Sequence, residues 1–117
     1  MIIFTGSDQI VIVTLKDNSG NIIPPSTTSD IIITAYQTKE NIVQQWKASD
    51  GKVTTVNDSQ GTVAVNLDRD NTINLPPKRL FLEVIIELSN PDFEGGIQRL
   101  SNTGGGIVLC DLETTIA

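Results

Sequence analysis

Apolar and polar residues alternate along much of this chain, most clearly between Gly61 and Leu88, GTVAVNLDRDNTINLPPKRLFLEVIIEL. Val63, Val65 and Leu67 fall on one side of a pleat and Thr62, Ala64 and Asn66 on the other, the period of two that marks a half-buried strand. After a polar turn and a double proline the pattern resumes. Leu80, Leu82, Val84, Ile86 and Leu88 share one face, and Phe81, Glu83, Ile85 and Glu87 share the other.

Similar runs precede and follow this stretch. A short segment over 2–5 leads to residues 9–16, where Val11, Val13 and Leu15 alternate with Ile10, Ile12 and Thr14. The turn Asp17-Asn18-Ser19-Gly20-Asn21 closes that strand, since Gly and Asn accept the backbone angles of tight turns. Pro24 and Pro25 lack the amide hydrogen a ladder needs, so pairing stops there and resumes over 31–38. Segments 42–47 and 52–56 flank Ala48-Ser49-Asp50-Gly51, and Asp-Gly between alternating runs predicts a hairpin. A loop from Ser89 to Gly96 separates the long strand from 97–100, and Gly104-Gly105-Gly106 reads as a flexible approach to a last strand over 107–112. No sustained helical period occurs. Seven or eight short strands with frequent turns form the pattern of a β-sandwich or small barrel. The expected fold is all-β, an Ig-like antiparallel β-sandwich spanning 1–117 as one domain with short extended termini.

Composition narrows the function classes. The chain has 117 residues, enough for one core and too few for two. Its aromatic fraction is only 4%, so Ile, Val and Leu must fill the interior. The net charge is −6 and no basic run exceeds Lys78-Arg79; nucleic-acid binding rests on clustered cations, so no nucleic-acid partner is expected. No apolar stretch approaches the roughly 20 residues of a membrane-spanning helix, and the start, Met1-Ile2-Ile3-Phe4, lacks a basic signal-peptide opening. No membrane partner is expected, and synthesis is placed in a cytoplasm. Cys110, the single cysteine, permits no internal disulfide and reads as a small buried hydrophobe.

Candidate chemistry is sparse. The chain has no histidine, which removes the usual general base and the commonest transition-metal ligand. Asp68 and Asp70 are the best carboxylate pair, but they flank Arg69 in a polar turn with no aromatic cleft nearby, and a solvated turn is the better reading. Asp17-Asn18-Ser19-Gly20-Asn21 resembles the opening of a calcium loop, yet Ile22 stands where glycine is needed and Thr28 where the closing glutamate belongs. The triple glycine precedes a strand and no helix, which is unsuited to phosphate. No catalytic residue, metal or cofactor is therefore expected. Trp46 and Tyr36 are the only candidates for a sugar platform besides Phe4, Phe81 and Phe93, and Trp46 shares a predicted strand face with Ile42.

The outward faces carry more information. If Leu80 to Leu88 point inward at alternate positions, Phe81 and Ile85 lie outside between Glu83 and Glu87, and Ile10 and Ile12 lie opposite the inward valines of their own strand. Apolar residues on such faces suggest a protein partner. Coverage within the domain, by loops or the N-terminal segment, would equally account for them.

The residues SDQIVIVTLKDNSGNII, with their polar lead-in, alternating strand and D-x-x-G-N turn, resemble the start of the small β-sandwich domain at the N-terminus of baseplate upper proteins of tailed bacteriophages. The later part, GTVAVNLDRDNTINLPPKRLFLEVIIELSNPDFEGGIQRLSNTGGGIVL, is similar to that family's second half, with a Gly-led strand, a proline-containing turn, a long central strand and a glycine-preceded final strand. The resemblance implies a non-enzymatic virion part, an adaptor or decoration component of capsid, neck, tail or baseplate. It would touch other virion proteins and further copies of itself. The alternative expectation is a carbohydrate-binding or adhesive Ig-like module of a bacterial surface, which requires Trp46 or Tyr36 on an exposed concave face.

Overall fold

The computed structural model describes residues 2–4, 6–17, 19–38, 40–76 and 79–110, with 2–4, 79 and 102–110 described at the backbone only. Eight strands run in chain order: β1 (Ile2–Phe4), β2 (Gln9–Thr14), β3 (Asp30–Thr38), β4 (Asn41–Lys47), β5 (Thr54–Asn57), β6 (Thr62–Leu67), β7 (Arg79–Ser89) and β8 (Ile97–Cys110). They form a five-stranded sheet in the order β1-β8-β7-β3-β4 and a three-stranded sheet in the order β2-β6-β5. All described pairings are antiparallel except β1 with β8. This is the Ig-like arrangement expected from the alternation: β7 and β3 take the central places that F and C occupy in such sandwiches, and β2-β6-β5 corresponds to B-E-D.

The inward positions meet between the sheets. Val11, Leu15, Val63, Val65 and Leu67 from the smaller sheet pack against Ile31, Ile33, Ala35, Trp46, Leu80, Leu82 and Ile86 of the larger. Leu80, Ile33 and Val63 are completely buried. One helical turn, α1 (Arg69–Thr72), carries the chain from β6 toward β7. Its Thr72 is fully buried and its hydroxyl accepts a hydrogen bond from the Gly6 amide at 3.0 Å, fixing the approach to β2. Asp8 accepts from the Arg69 amide at 2.8 Å across the same corner.

Three sequence expectations change. The segment Ala48–Asp50 is a tight turn closed by Gly51 at φ +73, but it does not join a hairpin. β4 belongs to the larger sheet and β5 to the smaller, so the turn passes the chain from one layer to the other. Asp-Gly specified the local bend, while burial of Trp46 on one side and pairing of β5 with β6 on the other decided the destination.

The triple glycine does not separate two strands. β8 is continuous over fourteen residues and pairs with β7 along its length. Gly105 lies opposite Phe81 and Gly104 opposite Leu82, and a register shift between Leu80 and Phe81 absorbs the remaining glycine. A glycine across from an aromatic leaves room for the ring to lie over the neighbouring strand, which compensates for glycine's weak strand preference. The end of the expected last strand beyond residue 110 and the side chain of Cys110 lie outside the described residues.

Trp46 and Ile42 do not share a face. Trp46 pairs with Ile33 and is 3% exposed, whereas Ile42 pairs with Tyr36 on the outer surface and is 59% exposed. A bulge between these pairs adds one residue to β4 and reverses the alternation.

Candidate interaction surfaces

Phe81 and Ile85 lie on the outer face of the larger sheet, and Ile10 and Ile12 lie on the outer face of the smaller one. The register follows from the inward valines and leucines of the same strands. The four residues therefore occupy two opposite surfaces of the sandwich and cannot form one contact patch.

On the larger sheet, cross-strand neighbours cover the apolar residues in part. Phe81 pairs with Tyr36, and their rings stack with centroids 5.8 Å apart and planes 28° apart. Ile85 pairs with Ile32 on β3. Phe81, Ile85 and Ile32 are half-buried, and Tyr36 is only 9% exposed although it faces outward. Glu83 sits between the two apolar rows opposite Thr34, whose hydroxyl accepts from Gln45 at 3.0 Å. Glu87 pairs across β8 with Arg99 at 3.3 Å. This face is thus an apolar stripe interrupted by Glu83 and bounded by the Glu87–Arg99 ion pair.

On the smaller sheet the isoleucines are uncovered. Ile10 is 57% and Ile12 49% exposed. Ile12 pairs across β6 with Ala64 and Ile10 with Asn66, while Thr54 of β5 lies on the other side of Ala64. The outward residues of β2, β6 and β5 named so far, with Thr14 and Thr62, include no charged side chain, although the chain as a whole is strongly acidic. An uncharged patch with two large exposed aliphatics is unusual on such a protein, because charge ordinarily keeps exposed sheet faces solvated.

The other candidate groups are committed to the fold. Asp17 Oδ1 accepts from the amides of Ser19 and Asn21, each at 2.9 Å, and Oδ2 accepts from the Asn21 side chain at 3.3 Å. The Asn21 amide foremost, with the other bonds, holds the carboxyl below the usual aspartate range against an opposing desolvation. Asp68 accepts from Gln44 at 2.9 Å and its amide donates back to Gln44 at 3.2 Å, while Asp70 contacts Arg69 at 3.6 Å on the surface. Asp68, Gln44, Asn66 and Lys52 line a depression of about 330 Å³ beside β4. Trp46 closes its inner side, and its indole Nε1 donates to the Asn66 carbonyl at 2.9 Å. That indole is a core side chain with its polar atom satisfied, and no open ring face is left for a sugar. Among the described residues no group of three or more His, Cys, Asp or Glu converges, and no helix is long and apolar enough to cross a membrane.

Sequence reasoning placed Phe81, Ile85, Ile10 and Ile12 on outer faces but missed Tyr36, Ile32 and Ile42. The signal for Ile42 was present: Ile-Val-Gln-Gln-Trp breaks strict alternation, as a bulge requires. No protein-family model, curated protein or solved structure matches this chain.

Proposed function

We propose that this protein is a structural component of a bacteriophage particle, an adaptor or decoration protein acting through protein contacts and carrying no chemistry of its own. Ile10 and Ile12 on the uncharged outer face of the smaller sheet are the observation that supports it, at 57% and 49% exposure. Removing such side chains from water gives about 25 cal/mol per Å², which rewards a partner that covers them. The half-buried Phe81, Ile85 and Ile32 on the opposite face, with the nearly buried Tyr36 stacked on Phe81, support a second contact, so one domain can link two neighbours. The resemblance to phage baseplate sandwich domains supplies the assembly. The carbohydrate-binding alternative relies on Trp46 or Tyr36; Trp46 is a core side chain at 3% exposure, and Tyr36 on the outer face is 9% exposed against Phe81, which favours the assembly reading.

Substitution with charge on each face tests this reading. Ile12→Lys and Phe81→Glu, each checked for retained fold by circular dichroism, are expected to reduce incorporation into particles. If both variants fold and enter particles at the native level, neither face makes an assembly contact.

A further inference from the structure

We infer that β2 is a homotypic docking edge, through which a second copy of this chain adds its own β2 in antiparallel register about a two-fold axis centred on Ile12. This names one partner for the contact-making role proposed above and rests on that reading only in treating Ile10 and Ile12 as contact residues.

The other sheet edges are blunted, and β2 is not. Exposed edges template the pairing of further strands, and proteins ordinarily blunt them with bulges, charges or shortness. The β4 edge is interrupted by register shifts and ends in Lys47. β5 has four residues and a register shift of its own, and β1 has three residues. β2 pairs with β6 over six residues without interruption, and its sequence QIVIVT contains neither charge nor proline. It is the last strand of its sheet, with no described strand on its other side. In Ig-like sandwiches that place can be filled by an A strand; here β1 pairs with β8 in the opposite sheet instead.

The backbone of β2 is aimed correctly for the task. Leu15 donates to the Gly61 carbonyl at 2.8 Å, continuing the β2–β6 register by one residue. Hydrogen bonding alternates along an antiparallel ladder, so Gln9, Val11 and Val13 direct their backbone groups to β6, and Ile10, Ile12 and Thr14 direct theirs to the open edge.

A two-fold axis through Ile12 uses those groups and no others. It sets Ile12 against Ile12 of the second copy, and Ile10 against Thr14 in both senses. The joined ladder has about six backbone hydrogen bonds, and the outward isoleucines of both copies become neighbours on one continuous face. The same axis places Asp8 opposite Lys16 at each end. These residues bracket the uncharged strand with opposite signs, and both are exposed. Lys16 remains in extended pairing with Ile22. Strict alternation makes the register self-consistent, because inward residues then meet inward residues. On a chain of net charge −6, two copies repel over most of their surfaces; this edge brings together a neutral centre and complementary ends.

The experiment is sedimentation equilibrium of the purified full chain at low salt over a range of concentrations, with thermal unfolding followed in parallel. Native protein is expected to form a concentration-dependent dimer, whether or not it enters particles. Ile12→Pro removes an amide that points away from β6, so the fold is retained while the dimer weakens by about thirtyfold or more, two central hydrogen bonds being lost. Lys16→Asp and Asp8→Lys are each expected to weaken dimerisation by at least about threefold, and mixing the two variants to restore it as a heterodimer. Native protein that stays monomeric overturns the inference. So does a dimer unaffected by a folded Ile12→Pro, or a mixture of charge variants that pairs no better than either alone.

Discussion

At the scale of single residues, Gly61 shows why one position in the β5–β6 connection tolerates no side chain. Its φ is +66, and an added Cβ would lie 2.7 Å from Ile22 Cγ2, 2.9 Å from the Ile23 carbonyl and 3.0 Å from the Leu15 carbonyl. Two of those atoms are backbone and cannot swing aside. Gly61→Ala is therefore expected to cost more than about 1 kcal/mol, exceeding the cost of Gly51→Ala, where the φ is similar but nothing lies within 4 Å. Urea denaturation of the two variants makes the comparison. Trp46→Phe keeps most of the ring volume but leaves the Asn66 carbonyl without its 2.9 Å donor, and is expected to lower stability by about 1–2 kcal/mol in the same assay. Asp17 gives the turn after β2 a pH dependence. Its carboxyl titrates lower in the folded chain than in the unfolded one, so its contribution is fully present above the ordinary aspartate range and is lost as pH falls through the lowered value. Asp17→Ala should accordingly show a smaller stability loss than native protein between about pH 7 and about pH 3. Residues such as Asp17 were legible beforehand, because the Asx turn is a local device. Tyr36 was not, since its burial comes from Phe81 on a strand 45 positions away in the chain.

At the scale of elements, alternation decided which face of each strand is core, and it held wherever a strand is regular. In β2, residues 10–13 are all apolar, and Thr14 and Lys16 on either side of Leu15 set the phase that leaves Val11 3% and Ile12 49% exposed. Val11→Lys is expected to destabilise by at least about 3 kcal/mol, through burial of an unpaired charge, whereas Ile12→Lys should fall within about 0.5 kcal/mol of native. Equal losses for the two would mean that the outer face is also core. Alternation failed at the β4 bulge and at β8, for different reasons. The bulge inserts a residue that reverses the phase between Ile42 and Trp46. In β8 the glycines carry no face preference, so strand continuity came from eleven partners on β7 and could not be read locally. The turn at Ala48–Asp50 failed in a third way: turn chemistry fixes a bend, but whether the next strand returns to the same sheet depends on where its apolar residues can be buried.

At the scale of the whole molecule, the sandwich offers two outer faces of different character. The smaller sheet presents an uncharged face with bare isoleucines and an unblunted edge, and the larger sheet presents a half-covered aromatic and aliphatic stripe among charges. The core between them was legible, because inward positions outnumber exceptions. The separation of Phe81 and Ile85 from Ile10 and Ile12 was not, because alternation says which residues point outward but does not assign strands to sheets. That assignment places the two pairs on opposite faces of the sandwich, as the proposed bridging role requires. The most direct test is quantitative mass spectrometry of density-purified phage particles from lysates in which the chain is made. Co-purification in a fixed copy number per particle, reduced in Ile12→Lys and Phe81→Glu, is the result expected of an assembly component; complete absence of the chain from the purified particles would contradict it.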